Sequence, residues 1–355
     1  MSQEDVPRGD WCISIMGSVL LVGGVGYLGY NLAKEHKARG DSVYIVARKS
    51  SSEKRSQLFS ELSALADKSV LLNNLVEASS IRNTIDGIGC PSITYLLTGR
   101  LQGTFKEMRE AHVTVPLAWA RVLAQRCKDT LVVYVSSVAS VGDPSACSDG
   151  VSVAEEKNHL EGCLPLSAYS RTKAEGEKEI IRLCREGDAR AAVLRPGLLV
   201  GEWSYHKEWR LMYRLAKLRL RLRGGPYLHA VAAKDLAKAS VIIDESLRKP
   251  CNWFYATPWR TRLGSLHEII LQGLGVKNAL PLPFPSRIPA SGVMKDFLVQ
   301  QRYSFEPRLL NELGMEWTPL EYAVNEAVEW MKTHWGRKIA SNKRRVSART
   351  HVVLV

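Results

Sequence analysis

One run of eleven residues constrains this chain more than any other part of it. Val19-Leu20-Leu21-Val22 is an uninterrupted apolar stretch. It passes straight into Gly23-Gly24-Val25-Gly26-Tyr27-Leu28-Gly29, and an amphipathic helical pattern follows. An apolar strand, a glycine turn and a helix in that order open a βαβ unit. Gly23 permits the tight turn, Gly26 lets backbone approach a pyrophosphate, and Gly29 lets the helix pack closely on the strand. Tyr27 and Leu28 begin that helix, whose N-terminal amides and positive dipole end suit phosphate. Glycines at this spacing serve many turns. Set between a strand and a helix, they predict a dinucleotide site over Gly23, Gly26, Tyr27, Leu28 and Gly29.

The pattern continues along the chain. Strand-like runs at 43–46, 69–72, 93–97, 131–135 and 191–194 alternate with helical patterns at 27–39, 54–66, 105–127 and 169–185. Runs that are apolar on both faces and alternate with helices predict an α/β fold, a doubly wound parallel sheet of Rossmann type. Beyond about residue 200 the sequence breaks into basic, Trp- and Pro-rich pieces. The expected organisation is a flexible extension over 1–17 and a dinucleotide-binding domain over 18–200, to which a later strand and helix return from about 228–250. A smaller C-terminal substrate lobe over 201–335 and a basic, flexible tail over 336–355 complete it. Met16, just before the first strand, is an alternative start.

Composition narrows the setting. A chain that is 45% hydrophobic and 24% charged is not a disordered one. No apolar run reaches the roughly 18 residues that span a bilayer, and the nearest, 13–25, is glycine-rich and lacks the flanks of a signal peptide. Seven scattered cysteines without a C-x-x-C pair argue against a disulfide framework and a cysteine zinc site, and no H-E-x-x-H is present. A metal-free, cytoplasmic protein is expected. Residues 337–355 contribute six of the net +13 charges and hold no acid. No nucleic-acid module accompanies them, so they are read as a solvated tail.

The second strand run decides which dinucleotide is expected. A carboxylate roughly 20 residues past the glycines would hold the ribose 2′-hydroxyl of NAD. Tyr44-Ile45-Val46 ends instead in Ala47-Arg48-Lys49. Arg48 and Lys49 suit the 2′-phosphate of NADP, with NAD the weaker candidate.

Tyr169-Ser170-Arg171-Thr172-Lys173 opens a helix, placing Tyr169 and Lys173 on one face, one turn apart. An ammonium beside a tyrosine stabilises its phenolate. Upstream, the run 131–135 ends in Ser136-Ser137 with Gly142 beyond, and downstream Arg195-Pro196-Gly197 follows another strand. With the glycine turn, these features resemble the extended short-chain dehydrogenase/reductases, the superfamily of NAD(P)-dependent epimerases, dehydratases and 3β-hydroxysteroid dehydrogenases. The likeness covers about 18–335. It implies that Tyr169 is the general acid/base, that Lys173 binds the nicotinamide ribose and lowers the tyrosine pKa, and that Ser137 hydrogen-bonds the reacting oxygen. It also implies cofactor contacts at Asn74, Leu75, Thr98, Gly99 and Pro196, a small-molecule substrate and a homodimer. Asn74 replaces an adenine-binding Asp frequent in the family. His112 stands where a helical Asn is usual, as a proton relay or a packed histidine.

Branches of the superfamily differ at two places. Dehydratases carry Asp-Glu after the catalytic hydroxyl, where this chain has Val138-Ala139. Epimerases commonly carry Asn three residues before the glycine that ends the strand motif; here that residue is Leu198. The resemblance is therefore nearest the 3β-hydroxysteroid dehydrogenase and dihydroflavonol reductase branch, an oxidoreductase of a secondary alcohol or ketone on an apolar, sterol-like substrate, with an NAD-dependent nucleotide-sugar epimerase as the alternative. Residues 206–223 carry Arg210, Arg214, Lys217 and Arg221 beside Leu211, Leu215, Leu218 and Leu222. They fit a basic helix over a core stripe, a half-exposed hairpin strand, or a peripheral contact with a membrane.

Overall fold

Uninterrupted Val, Leu and Ile runs make stable strands only where both sheet faces are covered. The computed structural model describes residues 17–142, 165–187, 189–204, 206–284, 295–296 and 303–349, with side chains through Trp335. Residues 1–16 of the expected 1–17 extension, Met16 among them, and residues 350–355 lie outside the described residues. Strands β1 (Ser18–Val22), β2 (Ser42–Arg48), β3 (Lys68–Leu72), β4 (Ile93–Leu96), β5 (Leu131–Val135) and β6 (Arg190–Pro196) all pair in parallel. Helices α1 (Tyr27–Ala38), α2 (Lys49–Lys54), α3 (Ser56–Leu65), α4 (Ala78–Ile88), α5 (Phe105–Arg109), α6 (Val115–Arg126) and α7 (Ala168–Arg185) lie between them.

Alternate residues of each strand enter opposite layers. Val19, Leu21, Val43, Ile45, Leu131 and Val133 join one buried cluster, while Leu20, Val22, Val46, Val132 and Tyr134 join the other. The sheet order is β10-β6-β5-β4-β1-β2-β3, with β10 (Asn252–Ala256) added beside β6. The chain reverses direction across the sheet between β1 and β4, which opens a crevice at their carboxyl ends.

The rest forms the smaller lobe: β7 (Leu198–Val200), α8 (Lys207–Lys217), β8 (Leu220–Arg223), β9 (Tyr227–Ala232), β11 (Trp259–Arg262), α10 (Leu263–Gly273), β12 (Leu280–Pro283) and α12 (Leu320–Arg349). Its own core includes Trp209, Met212, Leu266, Ile270 and Val328. Besides β10, two helices of this half belong to the larger domain, α9 (Asp235–Ser246) and α11 (Arg308–Glu312), whose Leu236 and Leu310 enter the first core cluster.

Several expectations need correction. The strand that returns to the central sheet is β10, after α9 rather than before it within 228–250; β9 pairs with β7 and β11 instead. The backbone of α12 is helical through residue 349, well into the segment read as a tail. The 54–66 pattern begins earlier and breaks at Arg55. Cys90 and Cys127 form a disulfide, joining the end of α4 to the end of α6, which the cysteine spacing had argued against.

The run 105–127 is not one helix. A π-helical turn (Glu110–Thr114) separates α5 from α6. Pro116 has no N–H to offer the carbonyl of His112, one turn earlier, and the Tyr134 hydroxyl donates to that carbonyl instead, at 2.8 Å. Helix α7 closes onto this turn through Gly176. A Cβ there would lie 2.3 Å from the His112 carbonyl oxygen and 2.4 Å from the Tyr134 hydroxyl. Gly176→Ala therefore pushes α7 from β5, with a loss of about 1–3 kcal/mol by overpacking. Thermal unfolding measures it, and a variant as stable as the parent would contradict this packing.

Candidate active site

The crevice between β1 and β4 is built by contacts too close for side chains. Gly23 has φ +77°, and a Cβ on it would stand 2.6 Å from Cγ2 of Thr98, across the switch point. A Cβ on Gly29 would meet the carbonyl oxygen of Gly24 at 1.9 Å. Gly26 differs: the nearest atom to a Cβ there is Nη1 of Arg55, at 3.7 Å. It is the N-cap of α1, no side chain caps the helix, and no acid stands in the first turn. The turn thus presents uncapped helical amides beside open space, with the Arg55 guanidinium over it, donating to the carbonyl of Val25. That donor set fits the pyrophosphate of a dinucleotide. Arg55 lies in no sequence motif used above.

The other predicted cofactor residues ring the same edge. Leu75 is buried, and its carbonyl accepts from the Trp119 indole. Asn74 is exposed and closes its own turn by accepting from the amide of Val76. Thr98 donates to the carbonyl of Ala111 at 2.7 Å, Gly99 is exposed beside it, and Pro196 is buried at the end of β6. Lys49 is exposed. Arg48 is engaged: its Nη2 lies 2.6 Å from Oε1 of Glu110, a contact the sequence did not suggest. Glu110 is therefore a competitor for any anion that Arg48 receives.

Tyr169, Lys173 and Ser137 converge at the ends of α7 and β5. Ser137 is half-buried, and its Oγ accepts from the amide of Ala139, which leaves its hydroxyl hydrogen for another partner. Lys173 is buried and donates to the carbonyl of Val135 at 2.7 Å. Burial lowers its pKa to about 8, against the pull of Glu177. The Tyr169 phenol is pushed up to about 12, chiefly by desolvation, although its hydrogen bond with Ser137 opposes that. Desolvation outweighs that hydrogen bond.

Glu177, Ser140 and Asp296, which the sequence reading missed, hold this group in place together with Ser136. Glu177, one turn beyond Lys173, is fully buried and pairs with Arg195, Oε2 to Nη2 at 2.5 Å. Ser136 and Ser140, on either side of Ser137, both donate to its Oε1 at 2.5 Å. Asp296 is buried at the start of α7, where it accepts from Ser167 and Ser170 at 2.5 and 2.9 Å. The four-residue step from Lys173 to Glu177 was the available signal for the first; nothing near Asp296 marked it.

His112 sits in the π turn with no exposure, its ring edge-on to Tyr169 at 5.3 Å. Its Nε2 accepts from the amide of Arg100 at 3.0 Å, so in the neutral ring Nδ1 carries the proton and donates to Thr172 Oγ1 at 2.7 Å. Both nitrogens are engaged, which supports the packed role over the relay. Burial and Lys173 drive its pKa down to about 2.

Sheet order, glycine turn and Tyr-Lys-Ser cluster together define an extended short-chain dehydrogenase/reductase. The sequence profile of the NAD dependent epimerase/dehydratase family matches residues 19–243, and the chain belongs to that family. It is 26% identical over 342 residues to "Sterol demethylase protein B" of Methylococcus capsulatus, covering 89% of this chain and 98% of that one. Among solved structures, the Bordetella bronchiseptica enzyme WbmG in complex with NAD and UDP superposes with a TM-score of 0.70 at 15% identity, over 90% of this chain and 96% of that one. UDP-glucose 4-epimerase from Thermotoga maritima gives 0.65 at 15% identity, over 89% and 99%.

His112 makes the stability of the fold pH-dependent. The unfolded chain takes up a proton near pH 6.5 that the native ring refuses down to about 2, so stability falls as pH drops through that window. In His112→Asn that dependence becomes shallower by about 1.4 kcal/mol per pH unit at the acid side. Denaturant titrations at several acidic pH values measure it, and parallel curves for both proteins would refute the buried neutral ring.

Proposed function

We propose that the protein is an NADP-preferring reductase or dehydrogenase acting on a secondary alcohol or ketone of an apolar, sterol-like molecule. The observation that carries this reading is the end of β2, where Arg48 and Lys49 stand in place of a carboxylate, in a chain that retains Tyr169, Lys173 and Ser137 at the neighbouring strand end. β2 itself ends without the acid that would hold a ribose 2′-hydroxyl, the nearby carboxylate of Glu110 being paired to Arg48, and a guanidinium suits a 2′-phosphate. The relative named as a sterol demethylase protein supports the apolar substrate class. Leu198 at the start of β7 supports it further, since its side chain offers nothing to a sugar or a diphosphate.

The turn over Gly23, Gly26 and Gly29 would hold the pyrophosphate, with Arg48 and Lys49 at the 2′-phosphate. Thr98, Gly99, Lys173 and Pro196 would lie along the nicotinamide half. The bound nicotinamide supplies or accepts the hydride. The residues of this chain manage the oxygen: Ser137 donates a hydrogen bond to it, and Tyr169 gives it a proton in reduction or takes one in oxidation. A phenol held at about 12 starts as the protonated form, which suits the acid role in ketone reduction. Lys173, one turn further along α7, is fixed by the Val135 carbonyl and would meet the nicotinamide ribose.

Two measurements test the reading. Tyr169→Phe is expected to lower kcat by at least roughly a hundredfold while NADPH binding, followed by nicotinamide fluorescence, is unchanged; loss of binding would show the phenol to be a cofactor contact only. Arg48→Ala should weaken NADPH far more than NADH. Glu110→Gln, by freeing Arg48, should strengthen NADPH selectively, and equal effects on both dinucleotides would remove the argument for NADP.

A further inference from the structure

Helix α8 does not pack as its sequence suggests. Its buried side is Trp209, Met212, Tyr213 and Ala216. Two of the four leucines that seemed to form the core stripe turn outward, Leu211 at 58% exposure and Leu218 at 68%, while Leu215 packs partly on the lobe core and Leu222 is buried in it. Leu280, which opens β12 and whose amide donates to the Arg219 carbonyl, is also 68% exposed. At 100° per residue, Arg210, Arg214 and Lys217 fall within about 60° of α8, and Leu211 and Leu218 within about the next 60°. None of these three cations forms an ion pair among the described residues. The one acid on the helix, Glu208, lies about 120° from Arg214.

The face continues past the helix. Arg210 lies over the Trp335 ring, 5.8 Å from its centre, where α12 passes into residues 337–355 with their six Lys or Arg and no acid. At its other end, His206 caps α8 against the ring of Tyr27 in the glycine turn, at 5.7 Å. No helix among the described residues is long and apolar enough to cross a membrane.

We infer that this face of the smaller lobe docks on an anionic phospholipid surface, with Arg210, Arg214 and Lys217 at the headgroup phosphates and Leu211, Leu218 and Leu280 entering the headgroup–acyl boundary. Charge complementarity favours any polyanion. The leucines select among polyanions, because a phosphodiester backbone gives them nothing to bury against, whereas a bilayer does. Docking there sets the start of α8, and with it the dinucleotide turn, beside a reservoir of apolar molecules. The inference rests on the lobe surface alone and does not depend on the proposed substrate.

Vesicle flotation of the full-length protein tests it. The protein is expected to float with phosphatidylcholine–phosphatidylserine vesicles, less so as salt rises, and not with phosphatidylcholine alone. Leu211→Ser with Leu218→Ser, and separately Arg214→Glu with Lys217→Glu, should each weaken partitioning by at least roughly tenfold, with the melting temperature and NADPH binding unchanged. Failure of the parent to bind overturns the inference, as does binding that survives both pairs of substitutions. Tight binding of single-stranded RNA that the leucine pair leaves intact also overturns it, by making the face a nucleic-acid contact.

Discussion

The buried pair Glu177–Arg195 is the contact on which the candidate site depends. Arg195 is on β6, just before Pro196; Glu177 is on α7, one turn past Lys173; and the serines that complete the carboxylate are on the loop leaving β5. These are the three segments that carry Pro196, Lys173 and Ser137. A buried charge is tolerated only when paired and hydrogen-bonded, and here Glu177 accepts from Ser136 and Ser140 as well as from Nε and Nη2 of Arg195. Arg195 in turn lies over the rings of Trp253 and Tyr255 in β10. The strand that returns from the later half of the chain thereby supports the site: it supplies the aromatic floor under the guanidinium.

Around that pair the site divides into groups that must hold charge and groups that must not. Lys173 and Tyr169 are pushed toward their neutral forms by the same desolvation, the first to about 8 and the second to about 12, so at neutral pH the phenol keeps its proton. With one nitrogen taken by the Arg100 amide and the other by Thr172, His112 joins the loop after β4 to the helix that carries Tyr169. The π turn makes this geometry available. Widening the helix at 110–114 turns carbonyls outward, and Thr98 and Tyr134 occupy two of them. Cofactor loop, catalytic helix and central strand are thus tied together at one irregular turn.

What could be read in the sequence follows from how local each feature is. The glycine turn, the buried strands and the Tyr-x-x-x-Lys step depend on neighbours within a turn or two, and the fold class and the cluster at the crevice were legible for that reason. Long-range partners left weaker marks. Pro116 was a visible signal for the break in the 105–127 run, because a missing amide must release a carbonyl four residues back. Glu110 carried none, since it meets Arg48 only once β2 and the π turn are side by side. Cys90 and Cys127 are likewise joined by the packing of α4 and α6 and not by any spacing that sequence shows. Leu211 and Leu218 misled in the opposite sense: apolar periodicity cannot tell a buried stripe from an exposed one when a neighbouring face, here Trp209, Met212, Tyr213 and Ala216, takes the core.

The contact between Arg48 and Glu110 also bears on how selectivity for a cofactor is set. A guanidinium alone at the end of β2 would attract any anion, and its charge would be screened but not ordered. Paired to a carboxylate on the π turn, the guanidinium plane is held in one orientation before a ligand arrives. A 2′-phosphate would have to displace that carboxylate, because two anions on one guanidinium repel each other, so Glu110 raises the charge a ligand must bring to this edge. Glu110 belongs to the same turn as His112, so the residue that meets Arg48 and the residue bonded to α7 through Thr172 lie on one five-residue segment of π helix.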